Sequence, residues 1–542
     1  MDRSQSEDDK RKSFKKAKSG RAEGQEGSGS AARVRPNVLF ITCDQWRGDC
    51  LSAAGHPVVR TPNADMLARD GVMFRKHFAG AAPCSPARAC LYTGLYQMTN
   101  RVCRNGTPMD RRHWNLARGA RALGYDPTLF GYTDVSPDPR DHAAGDPVLR
   151  SYEGILPGFT PRQLLPEHQK QWLSWLSARG VDASAGYPDI HRPLGKGHAE
   201  VSRAPPIYSR DETPTAFMAG EFIRWLGEQD AGNPWFAHIS FISPHPPFIV
   251  PAPFNEIYDP ADGPGFSRAK RWQDEAQSHP WLEYELEGQR KTKFIPGAKG
   301  KVRKWSEEEF RTIRAIYYGM ISEVDFQLGR IWDSLQKADA WDDTLIVLTS
   351  DHAEMMGDHF MLGKGGYFDQ SYHVPLIVRA PGARRAGKIV DAFTEAVDVA
   401  PTILDLIGGA APNWLDGRSL APFVEGRKVK DWRDCAHWEF DFRSVSKPSA
   451  ETQFGIRPQQ SNLAVIRSEK TKYVHFGGGL PPLLFDLEDD PKELRNRAND
   501  PAYRGLRLEF AERLLSWRAE HLDQSLALME LTEDGPVSLA GR

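Results

Sequence analysis

The chain has 542 residues, 70 Lys and Arg against 72 Asp and Glu, a formal net charge of −2 and 40% hydrophobic residues. That length exceeds one small core and points to two domains, or one large domain with a smaller appendix. Balanced charge gives no general affinity for nucleic acid or an anionic membrane, no 18-residue apolar run is present to span a bilayer, and six cysteines without a C-x-x-C pair fit a reducing compartment better than a disulfide framework.

Residues 1–34 are polar, basic in the middle and Gly/Ser-rich at the end. Such a segment buries too little apolar surface to offset its ordering entropy, so a disordered tail is expected. It holds no apolar stretch of the secretory kind, and a cytoplasmic location is the expectation. Next, "NVLFITCD" reads as a buried parallel strand with Asp44 at its C-terminal tip. "TPNADMLARDGVMF" predicts a helix with Met66, Leu67 and Val72 at helical spacing. "APCSPARACLYTG" sets Cys84 immediately ahead of a helix start, an unusual place for a cysteine in a cysteine-poor chain.

Further along, "ALGYDPTLFGYTD" predicts helix end, turn and strand, and "PWFAHISFISPHPPF" a strand that breaks into a Pro-rich loop at His245. "EEEFRTIRAIYYGMISEVDFQLGRIWDSL" predicts a long amphipathic helix. "DTLIVLTSDHAEMMGDH" repeats the opening theme, a buried strand with an acid just past its end, and "HVPLIVRAPG" adds another strand. Strands alternating with helices imply an α/β fold with a mainly parallel sheet covered on both faces. Ligands of such sheets sit beyond the carboxyl ends of the strands, where Asp44, His245, Asp351 and His352 all fall. After about Asp405, short strands with turns and a final helix, "LRLEFAERLLSWRAEHL", predict a smaller α+β subdomain. The expected boundaries are therefore a tail to 34, a catalytic α/β domain over 35–410 and a C-terminal subdomain over 411–542.

Cys84, Pro86 and Arg88 form C-x-P-x-R, followed by "LYTG". Together with "DQWR", "SPHPPF", "SDHAEMMGDH" and "GKGGYFDQSYHVPLIV" in that order, the chain resembles the sulfatases and the phosphonate monoester hydrolases of the alkaline phosphatase superfamily. The resemblance covers everything beyond the tail. It implies an alkaline-phosphatase-like sandwich, oxidation of Cys84 to formylglycine by a formylglycine-generating enzyme, and one divalent metal held by Asp44, Asp351, His352 and the modified Cys84. A hydrated formylglycine carries two hydroxyls on one carbon: one attacks sulfur or phosphorus, and the other expels the bound group as the aldehyde reforms. An imidazole among the ligands moves the site away from oxygen-only coordination, so manganese, iron or zinc is expected before calcium.

The same resemblance gives His245 and Lys364 the leaving-group side, lets Arg88 hold the hydrated aldehyde, and gives Asn105, Tyr132 and Gln45 substrate contacts. Arylsulfatases carry Lys-x-His where this chain has Tyr132-Thr133-Asp134, and phosphonate-type members carry Tyr there. Removing that Lys and His removes positive charge and should admit monoanionic diesters. Asp134 is open to three readings: a base for aldehyde regeneration, a receiver for a cationic substrate group, or a turn-forming Asp before Pro137. Glu354, Asp358 and His359 are read as shaping the loop beyond the metal. His437 to Arg443 either line the pocket or lie on the surface. The expected activity is hydrolysis of phosphonate monoesters and phosphodiesters with sulfate esters as a second substrate. The alternatives are a dedicated sulfatase, and a non-catalytic binding protein of the same fold. The substrate is a small-molecule ester, and the apolar residues of "HLDQSLALMELTEDGPVSLAGR" suggest packing on a second copy of the chain.

Overall fold

The computed structural model describes residues 35–542 except 196–199, 231, 383–385, 446–448, 525–526, 528, 534 and 539–542. The expected tail lies outside the described residues. Eight strands build the main sheet: β1 (Asn37–Cys43), β2 (Val72–Phe78), β4 (Pro127–Gly131), β5 (Thr160–Leu164), β6 (Phe236–Phe241), β7 (Thr344–Thr349), β8 (Leu376–Arg379) and β9 (Lys388–Glu395), in the order β5-β4-β6-β1-β7-β8-β2-β9. Neighbours run parallel except where β8 lies between β7 and β2.

The near-continuous apolar run of β1 is explained by burial on both faces. Leu39 and Ile41 pack with Ile313, Ile321 and Leu328 of the long helix Glu307–Lys337. Val38 and Phe40 face the other way, against Leu116, Ala120 and Ile403. Full burial of each such side chain contributes about 1.5–3 kcal/mol. The long helix begins where its sequence says it should, with Ser306 and Glu309 closing a reciprocal capping box. Val72, read above as the end of a helix, instead opens β2: the helix Pro62–Asp70 stops before Gly71. A Cβ at Gly71 would meet the Val378 carbonyl at 2.7 Å, so the chain must pass close to β8 there.

A second sheet, in the order β13-β12-β11-β10-β3, comprises β3 (Ala81–Ala82), β10 (Cys435–Asp441), β11 (Asn462–Ser468), β12 (Thr471–Phe476) and β13 (Leu483–Asp486). The four C-terminal strands are antiparallel, and β10 pairs in parallel with β3 through Glu439 opposite Ala81 and Phe440 opposite Ala82. The helix Arg504–Glu520 covers this sheet with Phe510, Leu514 and Trp517. Residues 36–542 pack as one compact unit, with the smaller sheet joined to the chain just ahead of Cys84.

Candidate active site

Four adjacent parallel strands, β4, β6, β1 and β7, end on the same side of the sheet. Beyond them lie Tyr132 and Asp134, His245, Asp44 and Gln45, and Asp351 and His352, respectively. The helix Cys84–Thr93 comes to the same place, wholly buried and beginning at Cys84 itself. Cys84, Arg88 and Tyr92 recur every four residues and so share one helix face.

Ligand atoms of Asp44, Cys84, Asp351 and His352 all lie within 4.8 Å of one another. His352 Nδ1 donates to the Ala353 carbonyl at 3.2 Å, which fixes the tautomer and leaves the Nε2 lone pair facing inward. Nε2 is 3.3 Å from Cys84 Sγ and 3.7 Å from both Asp44 Oδ1 and Asp351 Oδ2. Burial, then the Lys364 charge, pushes this imidazole down to about 3, so it is neutral. Burial would raise Asp44, but His245 and His352, which carry protons in the acid where Asp44 titrates, together with Lys364 and Arg88, hold it well below the usual carboxylate range. Burial and the neighbouring Asp44 push Asp351 up to about 6. Asp44 Oδ1 is buried without a hydrogen-bond partner. A neutral imidazole, a thiol, two carboxylates and an orphaned oxygen aimed at one point are the donor set a divalent cation satisfies.

Arg88 organises the centre. Its Nε donates to Asp351 Oδ2 at 2.9 Å, one terminal nitrogen donates to Ser240 Oγ at 2.8 Å, and the other lies 3.3 Å from Asp44 Oδ2 and 3.1 Å from the Tyr132 hydroxyl. The guanidinium also sits 4.3 Å from the Tyr132 ring centroid. Tyr132 in turn donates to Asp44 Oδ2 at 2.5 Å. Its approach depends on Gly131: φ is 101°, and a Cβ would stand 2.2 Å from the Ser240 carbonyl.

Gln45 occupies the left-handed region, at φ 73°, held by the Tyr317 hydroxyl of the long helix, which donates to its carbonyl at 2.7 Å. Its side-chain amide donates to Glu354, and its Oε1 accepts from Lys364 Nζ at 2.7 Å. Burial opposes the Lys364 charge, but Cys84, Asp44 and Asp351 nearby keep it protonated. The loop that carries it needs its glycines, since a Cβ at Gly365 would meet the Phe440 ring at 2.8 Å. His245 donates from Nδ1 to the Pro246 carbonyl at 2.7 Å, which leaves Nε2 as its one available nitrogen. Burial, then Lys364, pushes it down to about 4.

Asn105 is exposed, and its Oδ1 accepts from the Ser85 amide at 3.0 Å, so it caps the helix start beside Cys84. Asp134 is buried, and its side chain makes no hydrogen bond among the described residues. His437 neither lines this centre nor lies on the surface: it is buried in a separate junction, stacked on Trp517 with ring centroids 4.5 Å apart. Asp358 pairs with Arg314, and His359 Nδ1 lies in hydrogen-bond contact with Glu275 at 3.0 Å. Glu354 shapes the loop as read, its Oε1 accepting from the Met356 and Gly363 amides, and its Oε2 also orients Gln45. Ser240, Tyr92 and Tyr317 belong to the support as well, and nothing in their local sequence sets them apart from other buried polar residues.

Comparison with known proteins places this geometry. The family model described as Sulfatase matches residues 36–410, and that for the C-terminal part of N-sulphoglucosamine sulphohydrolase matches residues 357–520. The chain is 40% identical over 500 residues to the multifunctional alkaline phosphatase superfamily protein PehA of Trinickia caryophylli, covering 91% of this chain and 97% of that one. It is 28% identical over 505 residues to an arylsulfatase of Clostridium perfringens, covering 89% and 94% respectively. Among solved structures, the phosphonate monoester hydrolase of Agrobacterium radiobacter superposes with a TM-score of 0.91 at 61% identity, covering 93% of this chain and 99% of that one. The phosphonate monoester hydrolase from Silicibacter pomeroyi gives 0.88 at 38% identity, over 94% and 100%.

Proposed function

Because this chain belongs to the sulfatase family of the alkaline phosphatase superfamily, and is a hydrolase by that membership, we propose that it cleaves phosphonate monoesters and phosphodiesters, with sulfate esters as a second substrate. The observation that carries the reading is the convergence of Asp44, Cys84, Asp351 and His352 within 4.8 Å, closed by a tyrosine rather than a lysine. The names borne by the Agrobacterium and Silicibacter proteins support the phosphonate preference. These esters share a tetrahedral centre and a single negative charge at neutral pH, so one site of modest positive charge accommodates all of them.

Asp44, Cys84, Asp351 and His352 would hold one divalent cation, and the imidazole among them favours manganese, iron or zinc over calcium. Such a cation lowers the pKa of a hydroxyl and neutralises oxyanion charge, while a formylglycine at position 84 supplies paired hydroxyls and regenerates itself. The remaining work falls to side chains already in place. Arg88 spans Asp44 and Asp351 and fixes their orientation, its own charge largely spent on them. Lys364 supplies the positive charge left over for a substrate oxyanion. His245, neutral with its proton on Nδ1, presents the Nε2 lone pair as a proton acceptor, and Lys364 is the protonated group able to serve the departing oxygen. Tyr132 orients Asp44, Gln45 orients Lys364, and Asn105 positions the start of the Cys84 helix next to bound substrate.

Six free cysteines support a reducing, cytoplasmic setting, and the modification needs a formylglycine-generating enzyme as partner. Leu508 and Leu515, 59% and 68% exposed on one face of the helix Arg504–Glu520, support self-association. The test is a set of three p-nitrophenyl esters, a phenylphosphonate, a phosphodiester and a sulfate. Metal content by elemental analysis and the mass of the Cys84 peptide are read on the same preparation. The phosphonate and diester should show the higher kcat/KM, and the peptide should be lighter by the difference between a thiol and an aldehyde. Preference for the sulfate would make this a dedicated sulfatase, and full activity with an intact thiol would remove the proposed nucleophile.

A further inference from the structure

Asp134 is the acid for which the site as described has no use. It stands in the loop after β4, is 3% exposed, and has a left-handed backbone at φ 56°. Asp and Asn tolerate that region by bonding to nearby backbone, yet the Asp134 carboxylate makes no hydrogen bond and no ion pair among the described residues. Its conformation is imposed from outside. Thr133 Oγ1 donates to the Gly154 carbonyl at 2.9 Å and accepts from the Leu156 amide at 2.8 Å, and Ser136 Oγ donates to the Tyr152 carbonyl at 3.1 Å. The two loops are so close that a Cβ on Gly154 would lie 2.4 Å from the Val135 carbonyl. A carboxylate without a protein partner, on a residue held in a left-handed backbone and almost wholly covered, calls for an explanation in terms of what it meets.

Its neighbours point to a cation. Of the acids acting most strongly on it, Asp44 and Asp351 belong to the metal centre and Glu153 does not. Arg88 itself is engaged by Asp351, Asp44, Tyr132 and Ser240. Burial, opposed by Arg88, pushes the Asp134 carboxyl up to about 7, so an arriving positive charge would be met by a group ready to ionise. The segment packed on its loop is acidic and aromatic: the Glu153 carboxylate accepts from the Glu167 amide, and Glu167 accepts from the hydroxyls of Tyr152 at 2.5 Å and Tyr187 at 3.5 Å. Carboxylates with tyrosine rings are the surface that alkylammonium groups select. Lys364 lies on the opposite flank, past β7, so the centre is positive on one side and negative on the other.

We propose that Asp134 is a specificity-determining residue that receives a positively charged substituent, so that the preferred substrates are zwitterionic esters bearing an ammonium group near the tetrahedral anion. The inference rests on the ester-hydrolase reading above. Its test compares two p-nitrophenyl phosphodiesters of matched shape, one with a 2-(trimethylammonio)ethyl group and one with a 3,3-dimethylbutyl group. The wild-type chain should favour the cationic ester by about tenfold or more in kcat/KM, and Asp134→Asn should bring that ratio close to one. A wild-type ratio of one or below, or a ratio unchanged by Asp134→Asn, overturns the proposal. Calorimetric binding of the two corresponding non-hydrolysable phosphonates to the wild-type chain reads the same preference without turnover. Failure to hydrolyse either ester, with tighter binding of the cationic phosphonate, would therefore count against the hydrolase reading alone. Equal binding of the two would overturn the cation site.

Discussion

Two buried clusters in this molecule have nearly the same composition. One is the centre of Arg88, Asp44, Asp351, His352 and Tyr132. The other is the junction of Arg433, Glu395, Asp398, His437 and Tyr96, between the main sheet and the C-terminal helix. In the junction both carboxylates are answered. Arg433 reaches both carboxylates, and Asp398 also accepts from the amides of Glu395 and Arg418 at 2.8 Å each. Glu395 accepts from Tyr96 and from the His437 amide at 2.6 Å. In the centre, Asp44 Oδ1 has no partner, and a neutral imidazole and a thiol are turned toward it. Burial and perturbed acidity are common to both clusters, so neither identifies a site. What separates them is whether the charges close among themselves.

The largest expected effect is a pair of opposite outcomes. Cys84→Ala should lower turnover below about one-thousandth of wild type and leave the melting temperature near its original value. Arg433→Met should leave two carboxylates buried without their cation and cost about 3–5 kcal/mol of stability, read by denaturant or thermal unfolding. If Cys84→Ala unfolds the protein, or Arg433→Met melts normally, the distinction fails. A smaller effect sharpens it. In metal-stripped protein, Asp351→Asn should be neutral or stabilising because burial and Asp44 oppose the charge it removes, whereas Glu395→Gln should destabilise. Thermal melts of the two variants side by side decide the matter.

The smallest effect is in acid. Burial would raise Glu395, but Arg433 and His437 hold it down to about 2, below its unfolded value of about 4.3. A depressed carboxylate contributes stability that is complete above the unfolded pKa and fades as pH falls through the folded one. In Glu395→Gln, melting temperature should therefore lose part of its decline between about pH 4 and pH 2. An identical acid profile in wild type and variant would remove Glu395 from the junction's balance.

Much of the centre was legible because its parts sit at local landmarks. Asp44 and Asp351 each follow an apolar strand, and Cys84 opens a helix after a proline. The supports were not legible. Tyr317 reaches Gln45 across 272 positions, and Ser240 reaches Arg88 across 152. No local periodicity encodes such a contact. The same limit explains Val72, where close passage against β8 ends a helix that spacing alone would continue. It also explains His437, whose neighbours in the sequence gave no sign of the Trp517 stack that buries it.

The pairing of β3 with β10 has a consequence for the order in which the molecule is made. Ala81 and Ala82, two residues ahead of the cysteine, find their backbone partner only at Glu439 and Phe440. During synthesis about the first four-fifths of the polypeptide must leave the ribosome before that edge can close. Until then the thiol has a period of access that the finished interior denies it, and any enzyme that alters it must act on the growing chain or shortly after its release.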